Sequence, residues 1–262
     1  MPTWESPVNV PKVARVASHG GERLLVGRGL SFDVDGRRVL DDVSLTGEPG
    51  RMLAVTGSSG SGKTTLLSLV GGLARPTAGE ASYDGGPVTT KQGEPLPGTG
   101  FVLQSYGLVT TLTASENVAI ALRGRGVAAV EATERAVEAL ARVSVDELAG
   151  RLISELSGGQ LQRVAVARAL VLGADVLLAD EPTSELDEAN RDLVVGQLRM
   201  EANRGAIVLL ATHDPAVAEE CDDEIHLVDG CIEVLAPPPP PPEPGHEHDA
   251  YMRPSQSPGA VS

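Results

Sequence analysis

The chain has 262 residues, of which 41% are hydrophobic and 22% are charged, proportions typical of a globular protein with a buried core. Its formal net charge of -15 argues against a nucleic-acid partner, because neutralising phosphates requires clustered lysine and arginine side chains. The two cysteines, Cys221 and Cys231, form no metal-binding pattern and favour a reducing compartment. No apolar run approaches the roughly 18 residues that span a bilayer, so we expect any role at a membrane to require another polypeptide.

Two terminal segments differ in composition from the rest of the chain. Residues 1–22 contain Pro, Ser and Gly without periodicity, and they lack the apolar stretch of a secretory signal. They are predicted to be a flexible leader. Residues 237–262 begin with a polyproline run and are predicted to be a disordered tail, because they carry too little apolar surface to offset the entropy of ordering. Residues 23–236 are expected to form one folded unit.

Short apolar segments in this unit predict the strands of an α/β sheet. Residues 52–55, 175–180 and 206–212 are almost continuously hydrophobic, which is typical of parallel strands covered on both faces. Asp229 and Gly230 predict the turn of a hairpin near the end of the unit.

Residues from about 105 to 170 carry helix signals with no strand signal between them. Capping boxes are predicted at Thr113–Glu116 and Ser144–Glu147. An amphipathic helix follows the first of them, with apolar positions at Val130, Val137 and Leu140. These helices could form a bundle that merely completes the core, but the order of elements favours a helical subdomain inserted into the sheet domain.

The segment GSSGSGKTT matches a complete phosphate-binding loop between an apolar strand and an apolar helix. Its glycines let main-chain amides curl around phosphates, Lys63 reaches the β- and γ-phosphates, and Thr64 offers a hydroxyl to Mg²⁺. The predicted nucleotide-binding residues of this loop are Gly57, Ser58, Ser59, Gly60, Ser61, Gly62, Lys63, Thr64 and Thr65.

The segment VLLADEP places two carboxylates at the end of a predicted buried strand. Asp180 is predicted to hold Mg²⁺, and Glu181 is predicted to polarise an attacking water molecule. An acidic pair after a strand is common by itself, but together with the phosphate loop it indicates hydrolysis of a nucleoside triphosphate.

The order of the motifs resembles that of the ATP-binding subunit of ABC transporters. The phosphate loop is followed by Gln104 in FVLQSYGL, LSGGQ at 156–160, VLLADEP, SELD at 184–187, and His213 in LLATHD. The resemblance covers about residues 22–236. It implies an α/β P-loop NTPase fold with a mixed sheet core, an antiparallel β subdomain and an inserted helical subdomain.

The resemblance also implies roles for individual residues. Gln104 would contact Mg²⁺ or the attacking water, and His213 would bind the γ-phosphate and keep Glu181 aligned. The signature motif would bind the γ-phosphate of a second ATP, and Asp187 would end a loop that crosses to a partner subunit. The signature residues concerned are Ser157, Gly158, Gly159 and Gln160.

Two positions depart from the family's pattern. Val34 stands where the family usually has an aromatic residue that stacks on adenine, with Phe32 two residues earlier on the same face of a strand. Glu185 stands where a small or amide residue is usual, near the expected interface between subunits.

The resemblance further implies partners, cofactors and a location. A homodimer would enclose two ATP molecules with Mg²⁺ and drive an integral membrane permease from the cytoplasmic face of the membrane. Among ABC subfamilies, the chain is most similar to the lipoprotein-releasing, macrolide-export and cell-division group. The alternatives are a soluble ABC-type ATPase and a nucleotide-dependent regulator without transport.

Overall fold

The computed structural model describes residues 23–233, so the predicted leader (1–22) and the predicted proline-rich tail (237–262) lie outside the described residues. The strands are β1 (Leu25–Val34), β2 (Arg37–Gly47), β3 (Met52–Thr56), β4 (Ala78–Tyr83), β5 (Gly86–Pro87), β6 (Thr99–Val102), β7 (Val176–Asp180), β8 (Ile207–Ala211), β9 (Asp223–Val228) and β10 (Cys231–Ile232). The α-helices are α1 (Lys63–Val70), α2 (Ala114–Arg123), α3 (Ala129–Arg142), α4 (Gly158–Leu170), α5 (Glu188–Asn203) and α6 (Pro215–Glu219).

The strands form two sheets. The larger has the order β10-β9-β3-β8-β7-β6, with parallel pairing from β9 to β6 and β10 antiparallel at one edge. The smaller is antiparallel, with the order β2-β1-β4-β5. The predicted mixed sheet and antiparallel β region are therefore both present. The predicted hairpin is also confirmed, with Asp229 and Gly230 both at positive φ between β9 and β10.

The parallel sheet separates two apolar layers, because successive strand residues point to opposite faces. On β7, Leu177 and Ala179 face the core shared with α2 to α5, whereas Val176 and Leu178 face the core shared with α1 and the antiparallel sheet. All five residues of β3, of β7 and of β8 are buried, as expected for strands covered on both faces.

Helices α2, α3 and α4 lie between β6 and β7, with 3₁₀ turns at Asp146–Leu148 and Ile153–Glu155. The predicted capping box at the start of α2 is confirmed: Thr113 N–H donates to Glu116 Oε2 (2.8 Å), and Glu116 N–H donates to Thr113 Oγ1 (3.3 Å).

The predicted capping box at Ser144–Glu147 is wrong. Ser144 has φ = 54° and its N–H donates to Ala141 O, so it ends α3 instead of beginning a helix. Its carbonyl accepts a hydrogen bond from Arg163 on α4 (2.9 Å). The main-chain bonds that end α3 therefore take the place of the predicted cap at this position.

The amphipathic helix is present as α3, but two of the three apolar positions predicted for it do not face the core. Leu140 is buried, whereas Val130 is 73% exposed and Val137 is 38% exposed. The buried face also carries three alanines, Ala132, Ala136 and Ala139. Small side chains let α3 pack closely against α2 and α4, which is why the face is less hydrophobic than the valines suggested.

Cys221 is buried and Cys231 is exposed, and both are free thiols. None of the six α-helices formed by residues 23–233 has the length and apolar surface that crossing a bilayer demands.

Candidate active site

Four of the predicted site segments meet at the carboxyl edge of the parallel sheet. The phosphate loop follows β3, Gln104 follows β6, Asp180 ends β7, and His213 follows β8. Parallel strands bring their carboxyl ends to one edge, so segments far apart in sequence become neighbours there.

The phosphate loop needs glycine at two close approaches. Gly57 has φ = 141°, and a side chain there would collide with the carbonyl of Leu227 on β9. Gly62 has φ = 108°, and a Cβ there would lie 2.7 Å from Leu40 Cδ2. Both positive φ values and both contacts exclude other residues, so these glycines fix the path of the loop against the two sheets.

The loop leads into the N-terminus of α1, which carries no side-chain cap and no acidic residue in its first turn. Its first amides remain available for an anion, and the helix dipole favours negative charge there. Lys63, the first residue of α1, is buried, and its Nζ donates to the carbonyls of Gly57 (2.8 Å) and Ser58 (3.1 Å). The lysine is thus held at the mouth of the loop.

Asp180 and Thr64 are in direct contact. Thr64 Oγ1 donates to Asp180 Oδ2 (2.7 Å), while Asp180 Oδ1 is buried without a hydrogen-bond partner among the described residues. Burial raises the pKa of the Asp180 carboxyl, and the hydrogen bond from Thr64 opposes that shift. A hard cation such as Mg²⁺ prefers oxygen ligands of this kind, so the hydroxyl and the unpaired carboxylate oxygen fit such an ion.

Glu181 lies between a lysine and a histidine. Its Oε2 is 2.9 Å from His213 Nδ1, and its Oε1 is 3.7 Å from Lys63 Nζ. The Glu181 side chain is only 10% exposed, whereas that of His213 is 65% exposed. Glu181 also has φ = 49°, an uncommon conformation for a residue other than glycine, and it turns the chain sharply after β7.

The phosphate loop, Gln104 and the two carboxylates line an open cavity of about 210 Å³. Its lining is Val39, Ser59, Gly60, Gly62, Lys63, Thr64, Thr65, Gln104, Asp180 and Glu181. Gln104 thus shares a cavity with both acidic residues. Val39 was missed, because a valine at the start of an apolar strand segment gives no chemical signal.

The signature residues Ser157–Gln160 lie at the N-terminus of α4 and are not part of the cavity lining. Ser157 is the N-cap, and its N–H donates to Gln160 Oε1 (2.9 Å). The structure therefore does not bring the signature residues to the phosphate loop of the same chain.

Glu185 lies directly against the signature segment. A Cβ on Gly158 would be 3.0 Å from Glu185 Oε2, and one on Gly159 would be 2.8 Å from Glu185 O. The phenol of Tyr106 is close by. Its pKa is raised mainly by burial and, to a smaller extent, by the negative charge of Glu185. A carboxylate therefore sits beside the amides that open α4.

Asp187 and Val34 also lie outside the cavity lining, as do His213, Gly57, Ser58 and Ser61. Asp187 is the N-cap of α5, where its Oδ1 accepts the N–H of Asn190 (2.9 Å). Val34 is 45% exposed at the end of β1, whereas Phe32 packs against the core between the two sheets. Phe32 is therefore committed to the core, and a register shift separates it from the last residues of β1.

Comparison with known proteins agrees with this arrangement. The family described as ABC transporter matches residues 40–184. An uncharacterised ABC transporter ATP-binding protein of Mycobacterium tuberculosis is 39% identical over 206 residues, which cover 77% of this chain and 62% of that protein. The macrolide export ATP-binding/permease protein MacB of Photorhabdus laumondii is 40% identical over 200 residues, which cover 74% of this chain and 31% of that protein. The chain therefore spans less than two thirds of the length of these curated relatives.

Solved structures share the fold. The dimeric post-hydrolysis structure of the ATP-binding cassette MJ0796, bound to ADP and Pi, matches with a TM-score of 0.73 and 30% identity over 80% of this chain and 97% of that chain. The cbiO1 protein of Clostridium perfringens, part of the ABC transporter complex cbiONQ, matches with a TM-score of 0.70 and 26% identity over 81% of this chain and 88% of that chain. The resemblance read from the motifs is confirmed: this chain belongs to the ABC transporter family and carries its ATP-binding domain.

Proposed function

We propose that this chain hydrolyses ATP as one of two identical subunits that drive a separate membrane permease. The observation that carries the proposal is the assembly of Lys63, Asp180 and Glu181 around one cavity beside a phosphate loop. The loop supplies amides and a lysine for the phosphates. The end of β7 supplies two carboxylates, Asp180 beside Thr64 and Glu181 beside His213.

Binding of ATP is assigned to the phosphate loop and α1. The free amides at the start of α1 and the ammonium group of Lys63 would hold the β- and γ-phosphates. Lys63 would exchange its bonds to the carbonyls of Gly57 and Ser58 for phosphate oxygens. Thr64, Asp180 and Gln104 would hold Mg²⁺, which supplies neutralisation of the phosphate charge when it is bound.

Hydrolysis is assigned to Glu181 and His213. Glu181 would orient the attacking water and accept a proton from it as the bond between the γ-phosphorus and the bridging oxygen breaks. The His213 ring, 2.9 Å from the Glu181 carboxylate, would keep that carboxylate in place and bind the γ-phosphate. Its exposure allows it to reach a ligand that enters the cavity.

A dimer is proposed because the signature segment points to a site that one chain does not complete. Ser157, Gly158 and Gly159 open the N-terminus of α4, which suits an anion, yet they do not line the cavity that holds Lys63. A second copy related by two-fold symmetry would bring them over ATP held by the other chain. The structural relative MJ0796 is described as dimeric with ADP and Pi, which supports this assembly.

A permease partner is proposed from the relatives, one of which is named as an ATP-binding/permease protein for macrolide export. The helical subdomain offers exposed apolar surface near the Gln104 loop, where Val109 is 44% exposed and Leu152 is 41% exposed. The two sit on adjoining segments, because Leu112 N–H donates to Val109 O and Leu112 O accepts from Ile153 N–H. A permease of the macrolide-export type would dock there and hold the chain at the cytoplasmic face of the membrane.

The experiment is steady-state release of phosphate by the purified protein with Mg²⁺ and ATP. The unaltered chain is expected to hydrolyse ATP, whereas Ser157→Arg, which fills the entry to the signature segment, should abolish hydrolysis and still bind nucleotide. Ser154→Arg, at an exposed position just before the segment, is the control and should retain activity. Normal hydrolysis by Ser157→Arg would contradict the role given to the signature segment.

A further inference from the structure

A buried glutamine joins the signature helix to the Glu181 main chain. Gln162 lies on α4, five positions after Ser157, and is 0% exposed. Its Nε2 donates to the main-chain carbonyl of Glu181 (3.3 Å). Its Oε1 is buried without a hydrogen-bond partner among the described residues.

The main chain of Glu181 is held at both ends. Its N–H donates to Ala211 O on β8 (2.9 Å). Its carbonyl accepts from Ser184 N–H (3.3 Å) and from Ser184 Oγ (3.2 Å), in addition to Gln162. With φ = 49°, the residue occupies a strained conformation that persists only where its surroundings fix it. These bonds therefore fix the main chain from which the Glu181 carboxylate extends.

Packing alone does not account for a glutamine at this position. The α4 residues that follow on the buried side are apolar, among them Val164 and Val166. An amide there leaves one oxygen unpaired in the interior, which is unfavourable. A methionine would fill a similar volume without that defect, so the gain must come from the hydrogen bond to Glu181.

Helix α4 also contacts the loop that carries Gln104. Arg168, near the end of the helix, donates to the carbonyls of Tyr106 (2.7 Å) and Gly107. One rigid helix therefore links the signature segment at its start, Glu181 through Gln162, and the Gln104 loop through Arg168.

We propose that Gln162 is a positioning residue that couples the signature segment to Glu181 of the same chain. The inference rests on the proposed dimer, in which the signature segment of a chain meets the ATP of its partner while Glu181 acts on its own ATP. When the partner's ATP binds to the signature segment, α4 shifts. Gln162 transmits this shift to Glu181 of its own chain, which acts on that chain's ATP. Gln162 thereby connects the two hydrolysis sites.

The test compares Gln162→Met with the unaltered chain. The replacement keeps the length of the side chain and removes its N–H donors. We expect kcat to fall ~10- to 100-fold, because a small misplacement of a reacting group is enough for such a loss. KM for ATP and nucleotide affinity should stay within about two-fold, because the phosphate loop is unchanged.

A matched control is Gln197→Met on α5, which removes the partner of Arg142 on α3 (2.9 Å) and lies outside the cavity lining. It should leave kcat unchanged. Ser184→Ala removes a hydroxyl that donates to the same Glu181 carbonyl, so its effect on kcat should not add to that of Gln162→Met.

Hydrogen exchange at the Ser184 amide gives a readout that needs no hydrolysis. We expect faster exchange in Gln162→Met than in Gln197→Met. Wild-type kcat and unaltered exchange in Gln162→Met would overturn the proposal, and so would a loss of kcat matched by Gln197→Met. If the unaltered chain itself did not hydrolyse ATP, the proposed function would fall, whereas the exchange at Ser184 would still decide whether Gln162 holds Glu181.

Discussion

The Nδ1 atom of His213 lies 2.9 Å from Oε2 of Glu181, although the two residues follow different strands of the parallel sheet. The histidine ring is largely exposed and the carboxylate is almost fully buried. An exposed ring is thus in contact with a buried carboxylate.

His213→Ala is expected to lower kcat about 100-fold, because Glu181 loses the group that orients it. ATP binding should persist, because the loop and Lys63 are untouched. Phosphate release and binding of a fluorescent nucleotide measure the two effects separately. His226→Ala is the control: its ring contacts Thr56 (2.8 Å) outside the cavity lining, and activity should be retained.

Lys63→Met is expected to abolish detectable ATP binding at concentrations that saturate the unaltered chain, because the buried ammonium group lies against the loop that is proposed to hold the phosphates. Equilibrium binding of labelled ATP is the measurement. Lys91→Met removes the same charge from an exposed position and should bind as the unaltered chain does. Equal affinity in the two variants would contradict the assignment of the phosphate site.

Glu185→Gln is expected to strengthen dimerisation driven by ATP. The Glu185 carboxylate lies beside Gly158, where we place the γ-phosphate of the partner's ATP, and two negative charges at that distance repel each other. Analytical ultracentrifugation over a range of ATP concentrations measures the effect, which should shrink at high salt. Glu138→Gln, on the exposed side of α3, should leave dimerisation unchanged.

Ala136→Leu is expected to destabilise the protein by about 1–3 kcal/mol, because the added methylene groups have no room between α3 and its neighbours. Ala136 is 0% exposed. Urea unfolding followed by circular dichroism measures the loss. Val130→Leu adds a methylene on the exposed side of the same helix and should leave the free energy of unfolding within about 0.5 kcal/mol.

The sequence predicts best those features whose causes are local. The apolar run before Asp180 predicts a buried strand, which is present, and the positive φ values at Gly57 and Gly62 are local requirements of the loop. The capping box at Thr113 is equally local and is present as predicted. The motif order then sufficed to place the chain in its family.

Features that depend on distant contacts could not be predicted in the same way. Ser144 has the right residues after it for a capping box, yet it lies in the left-handed turn that ends α3, and its carbonyl also accepts from Arg163. The valines of α3 look like core residues, yet alanines form the packed face because the neighbouring helices are close. Gln162 gives no signal in the sequence, because its partner is the main chain of a residue on another element.

In the proposed mechanism, hydrolysis takes place in a dimer that ATP closes. The most direct measurement is the mass in solution of Glu181→Gln, which should bind ATP without hydrolysing it, by size-exclusion chromatography with light scattering. We predict a dimer with ATP, a monomer without it, and a monomer with ATP when Ser157→Arg is added. If the Glu181→Gln variant binds ATP and remains a monomer, the proposed ATP-closed dimer is contradicted.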